Sequence, residues 1–256
     1  MNRLRSKAAV LLLIAVPAFL VVSCDGFGWI GPHFIYESPS GLYRGAFTST
    51  ATQPSPSRET TGIISEEFDA QFLLSSQHYA GSVVVVDTSL TGELTEYRGK
   101  RGVFLGFDGI STITLDGDVS ERDGIFGTYV GDDDQGRFAF SYESLYEDGS
   151  SLDLLSGIWS FNQASAGGGI YTITINLDAD GQLFGSDTAG CVFSGRMGII
   201  DDRYSSYSVA VSVSSCGEVD GDYSGLAFSA PLTSGSRLYI GADNGSFAFA
   251  NLFDRL

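Results

Sequence analysis

Across 256 residues, 31 acidic side chains face 14 basic ones, and 43% of the residues are hydrophobic. That apolar content is ample for a buried core and excludes a disordered chain, while the length accommodates one large or two small domains. A body this acidic repels nucleic-acid phosphates and anionic headgroups, so no nucleic-acid partner and no charge-driven adsorption to a bilayer are expected.

The chain opens with Arg3, Arg5 and Lys7, followed by a 15-residue apolar run from Ala8 to Val22 that ends in Ser23-Cys24. A basic start and an apolar segment too short for a comfortable span describe a signal peptide over residues 1–23. Val21-Val22-Ser23-Cys24 resembles the lipobox of bacterial lipoproteins, which implies cleavage before Cys24 and acylation of that cysteine as the first mature residue. Losing residues 1–23 removes three basic and no acidic side chains, leaving 11 against 31, a balance of −20. The acylated Cys24 is then the expected sole attachment to the membrane. Each buried methylene of its acyl chains contributes about 0.8 kcal/mol, and several chains on one residue exceed the marginal hold of one.

Residues 24–40 read as a tether in which Gly26, Gly28 and Gly31 alternate with Phe27, Trp29, Phe34 and Tyr36. Those aromatics either pack on the first strand or insert at the membrane interface. From Gly41 onward helical periodicity is nearly absent, and short alternating runs are punctuated by Gly, Asp, Asn and Ser, the pattern of an antiparallel all-β body. In the first half, segments are predicted near 41–50, 60–65, 68–74, 78–86, 90–97, 109–119, 124–130 and 136–142. In the second they fall near 157–163, 170–177, 182–188, 191–200, 207–216, 221–230, 236–241 and 245–253. Eight short strands per half suit two tandem up-and-down barrel-like domains, 41–148 and 149–256, with β-sandwich halves as the alternative. Gln53-Pro54-Ser55-Pro56-Ser57 is an exposed excursion, and Ser150 to Leu155 is a helical connector. Gly41-Leu42-Tyr43 and Gly157-Ile158-Trp159 open the two halves, and the pair Gly136 to Phe140 and Gly245 to Phe249 close them, as a duplication would. Gly-x-Tyr-x-Gly recurs at Gly41, Gly127 and Gly221.

Setting Cys24 aside leaves Cys191 and Cys216, an even pair expected to form a disulfide in an exported protein. They bracket two strand-like runs around a polar turn, and a symmetric hairpin places them opposite each other. In that register Arg196 faces Val211 on the interior side, where a guanidinium requires a carboxylate or an anionic ligand; the alternative is a bulge near Gly195 or Gly198 that turns it outward. Arg196 is therefore the candidate anion-binding residue. No catalytic residue is assigned. A GxSxG elbow and phosphate loops are absent, and the only histidines are His33, in the tether, and His78, read as a surface or hairpin residue. Nothing selects a glycosidase pair from 31 carboxylates. Asp132-Asp133-Asp134 and Asp178-Ala179-Asp180-Gly181 read as turns rather than calcium loops, so neither a metal nor a cofactor is expected.

Taken together, the lipobox at Cys24, Gly41-Leu42-Tyr43, Gly127-Thr128-Tyr129, the Ser150 to Leu155 connector before Trp159 and Gly190-Cys191 with Cys216 resemble a family of uncharacterised lipoproteins of Gram-negative bacteria. The resemblance implies an envelope location and a β-rich fold, and brings no catalytic or binding residues. The expected function is a non-enzymatic binding or assembly module on the periplasmic side, with an envelope protein or a small ligand as partner. The alternatives are an envelope polysaccharide hydrolase and a small-ligand carrier.

Overall fold

The computed structural model describes residues 37–50, 58–74, 77–99, 104–106, 110–164, 169–232 and 235–256. The segment read as a signal peptide, Cys24, His33, most of the stretch read as a tether and the Pro/Ser-rich stretch lie outside the described residues.

Period-two alternation dictates the elements. The strand Tyr207–Ser214 buries Tyr207, Val209, Val211 and Val213 and exposes every residue between them, as a pleated strand with one wet face must. Seventeen strands occur among the described residues. Eight form a closed antiparallel barrel: β1 (Gly41–Ser49), β2 (Arg58–Ile64), β3 (Asp69–Leu73), β4 (Gln77–Val86), β5 (Ser89–Arg98), β7 (Ile110–Ser120), β8 (Gly124–Gly131) and β9 (Gln135–Glu143). Pairing of β1 with β9, from Leu42↔Glu143 to Ser49↔Gly136, closes the ring. After a short helix, α1 (Leu152–Leu155), whose first turn is capped by the Ser151 hydroxyl accepting from Asp153 N, eight more strands follow in sequence order. They are β10 (Gly157–Ala164), β11 (Ile170–Leu177), β12 (Gln182–Asp187), β13 (Val192–Ile199), β14 (Tyr207–Ser214), β15 (Gly221–Leu232), β16 (Gly235–Asp243) and β17 (Phe247–Arg255). Two closed barrels replace the sandwich alternative.

Closure of the second barrel is uneven. β10 meets β17 only at Trp159↔Arg255 and Ser160↔Asp254, while the other end of the same β17 edge pairs with β6 (Phe104–Gly106), a strand from the first half. Phe104 lies 5.7 Å from Phe249 and 5.8 Å from Tyr223, ring to ring, in the second core. The first half of the chain therefore supplies a buried ring to the second core. A three-residue strand carries no period, so alternation could not reveal it.

Aromatic side chains fill both interiors. In the first barrel Phe47 contacts Phe72, Tyr79, Tyr129 and Phe140 at 4.9–5.6 Å between ring centroids; in the second Trp159, Phe193, Phe249 and Phe253 are buried together. Eight strands enclose a space that side chains of this size fill. The repeated Gly-x-aromatic motif builds a corner. Tyr43 OH donates to Pro39 O, Trp159 Nε1 to Leu155 O and Tyr223 OH to Val219 O, each at 2.7 Å and each four residues back. In each, the ring enters the core while its polar tip ties down the preceding loop. Tyr129 departs from this, donating forward to Asp134 Oδ2 at 2.8 Å.

Cys191 and Cys216 are bonded, with Cα atoms 4.8 Å apart. The hairpin register is one residue away from the symmetric one: Val192 pairs with Ser214 and Arg196 with Ala210. A one-residue shift exchanges the faces of a strand, so Met197 is the interior residue and Arg196 is exposed. The interior anion site assigned to Arg196 is thereby corrected. His78 is corrected in the opposite sense, being fully buried.

Candidate functional site: the cleft between the barrels

Residues pointing out of the first barrel meet residues pointing out of the second. Ala70 and Phe72 face the first core, so Gln71 between them points outward; on β4 the same parity turns His78 and Ala80 outward. Small residues on the facing strands, Gly225, Gly241, Ala248 and Ala250, let the barrels approach closely. The Gln71 amide lies over both glycines, and a methyl group on either would collide with it; on Gly241 it would also come within 2.8 Å of His78 Cε1. Two polar clasps flank this contact: Tyr97 OH donates to Asp243 Oδ1 at 2.7 Å, and Glu66 accepts from Tyr146 OH at 2.5 Å and Ser206 Oγ at 3.1 Å. Burial beside carboxylates pushes the Tyr97 and Tyr146 hydroxyls well above the ordinary phenol range.

Within the interface, neither ring nitrogen of His78 has a hydrogen-bond partner among the described residues, nor does Gln71 Oε1. Desolvation lowers the His78 pKa from 6.5 to about 3, so the imidazole is neutral at physiological pH. Among the described residues no acid or hydroxyl is hydrogen-bonded to His78 to orient its ring.

Beside Gln71 the interface opens into a cleft of about 720 Å³. Asp69, Ser82 and Glu93 form one cross-strand row on its first wall; Ser224 and Asp243, paired across β15 and β16, stand on the second. No lysine or arginine lines it among the described residues. Burial, and then the neighbouring Glu67, raise the Asp69 carboxyl above its ordinary value. A smaller cleft of about 210 Å³ contains Arg122 and Arg203, but these already pair with Glu147 at 2.8 Å and Asp201 at 2.6 Å.

The remaining sequence candidates are committed elsewhere. Asp134 accepts from Ser49 Oγ, Tyr129 OH and Gln135 N, and Asp178 Oδ1 accepts from Asp180 N and Gln182 N: both acidic loops spend a carboxylate on turn geometry. Asp187 approaches Cys191 and Cys216, yet the sulfurs are bonded to each other and the carboxylate accepts from Ala189 N, Cys191 N and Tyr171 OH. Asp69, Gln71, Glu93 and Asp243 escaped sequence reasoning, because alternation marks them as outward positions without saying what they face. No protein-family model, curated protein or solved structure matches the chain. The fold and the cleft define a two-barrel, all-β protein with an acidic groove between its barrels.

Proposed function

We propose that this protein is a bacterial cell-envelope lipoprotein, anchored through acylated Cys24 on the periplasmic side, whose body is a non-enzymatic binding module working through the inter-barrel cleft. The anchor rests on the basic, apolar and small-residue sequence ending at Cys24 and on the resemblance to uncharacterised lipoproteins. A balance of −20 after residue 23 gives the body no charge attraction to a bilayer, and the Cys191–Cys216 bond suits an oxidising compartment. The observation that carries the binding reading is the large cleft between two barrels whose own interiors are occupied by aromatic rings. Sites of this kind favour domain junctions, and filled barrels favour a surface binder over a carrier that encloses its ligand.

Two measurements test it. Fatty-acid labelling and membrane fractionation should show the wild type acylated and sedimenting with membranes, and Cys24→Ala unlabelled and soluble; an unlabelled wild type removes the anchor. Photocrosslinking from position 82, within the cleft, should capture a partner or ligand that the same probe at Ser194, on the outer face of β13, does not. Equal capture at both positions removes the cleft as the site, and release of reducing ends from envelope glycan would replace the binding module with a hydrolase.

A further inference from the structure

We propose that the seam of the second barrel, where β17 faces β10, is a docking site for an extended segment of a partner protein, and that β6 holds this site in cis. The seam is separate from the cleft. One edge of β17 pairs with β16 along most of its length. The other edge is divided: Phe247–Phe249 pair with β6, and Asp254 and Arg255 pair with β10. Between them, Ala250–Phe253 have no strand partner on that edge among the described residues. Across the seam, Phe161–Ala164 of β10 pair with β11 alone. Closure of a barrel removes strand edges, so a stretch left unpaired on both sides of a seam is a template for an added strand.

β6 identifies the chemistry of the occupant. The first barrel closes without it: β5 and β7 pair directly as far as Tyr97↔Ile110, so β6 is an excursion from that hairpin. It lies extended and antiparallel to β17, and it delivers one ring to the second core. That ring, Phe104, is 5% exposed and stands 5.7–6.4 Å from Phe193, Tyr223 and Phe249 between centroids. A partner segment with an aromatic side chain at the Phe104 position reproduces these contacts. Continuing along β17 to Phe253, it adds the backbone pairs that β6 leaves unmade. A second copy of this chain does not qualify as the occupant. Its β6 makes no contact that the cis β6 lacks, whereas the cis strand competes at an effective concentration of about millimolar. Only a longer strand gains over the one in place.

The test uses a fluorescent, photoreactive peptide with the sequence of residues 101–109, titrated against the full chain in detergent and read by anisotropy. Phe104→Ala protein, whose cis strand has lost its ring, should bind the peptide saturably and at least about tenfold more tightly than wild type does. A peptide that itself carries Phe104→Ala should bind that protein at least about tenfold more weakly. Phe104→Leu, which keeps an apolar side chain in the core, should give the same ordering and supplies the comparison if the alanine protein does not fold. Photocrosslinks should map to Phe161–Ala164 and Phe247–Phe253. Absence of saturable binding to both variants, equal affinity for variants and wild type, or crosslinks confined to other strands overturns the inference. So does a wild-type dimer in sedimentation that Phe104→Ala abolishes, because the occupant is then a second copy. Failure of capture from position 82 bears on the cleft alone and leaves this measurement intact.

Discussion

Replacing Phe104 with alanine tests whether the second barrel depends on a strand contributed by the first half of the chain. The ring is 5% exposed and sits among Phe193, Tyr223 and Phe249 at 5.7–6.4 Å between centroids. Truncating a phenylalanine this buried costs about 3–5 kcal/mol where the site cannot collapse. Here β6 is joined by only three residue pairs, so the strand can be lost with the ring, and about 3 kcal/mol is the working figure. With a urea slope of about 2 kcal/mol/M, the unfolding midpoint should fall by about 1.5 M. Trp159, fully buried in the second core, reports on that barrel specifically in a Trp29→Phe background, because these are the only tryptophans. The same truncation at Phe126, which is 53% exposed on the first barrel, should shift stability by no more than about 0.5 kcal/mol. A Phe104→Ala midpoint within about 0.3 M of wild type would refute the reasoning and make β6 peripheral.

Three further outcomes are expected. Folded His78 stays neutral down to about pH 3 while the unfolded chain protonates it near 6.5, so the unfolded state binds the extra proton and stability falls as pH drops below 6.5. The loss is about 2 kcal/mol at pH 5, and the difference between wild-type and His78→Leu midpoints at pH 7.5 and pH 5 should show it, the carboxylates cancelling; a pH-independent difference sinks the claim. Gly241→Ala should destabilise by about 1–3 kcal/mol through collision with the Gln71 amide, and adding Gln71→Ala should recover at least half, whereas additive costs would mean that the two do not touch. Reducing Cys191–Cys216, which closes a 25-residue separation, should cost about 2–4 kcal/mol, read as a midpoint difference with and without dithiothreitol that vanishes in the Cys191→Ser, Cys216→Ser protein.

Local rules explain what could be read without a structure. Alternation along Ile170–Leu177 and Tyr207–Ser214 depends only on a strand having two faces, one of them buried. The same rule located the eight strands of each ring to within a few residues. The disulfide was legible because two cysteines flanked one hairpin, but its register was not: a single residue decides which face Arg196 occupies, and no local feature distinguishes the two registers. Asp132 to Asp134 and Asp178 to Asp180 were legible as turns, because their carboxylates bond to neighbouring backbone amides.

The amino-acid sequence by itself determined the all-β class, the two eight-stranded rings, the cysteine pair and the acidic balance, since each follows from composition or from contacts between strands adjacent along the chain. Only the tertiary structure decided that β6 completes the second barrel, that His78 is buried and neutral, and that Asp69, Gln71, Glu93 and Asp243 share one cleft. These depend on which outer faces of two closed barrels meet. The first strand of that cleft is separated from the last by about 170 residues, and period-two patterning marks an outward position without saying whether it faces water or another barrel.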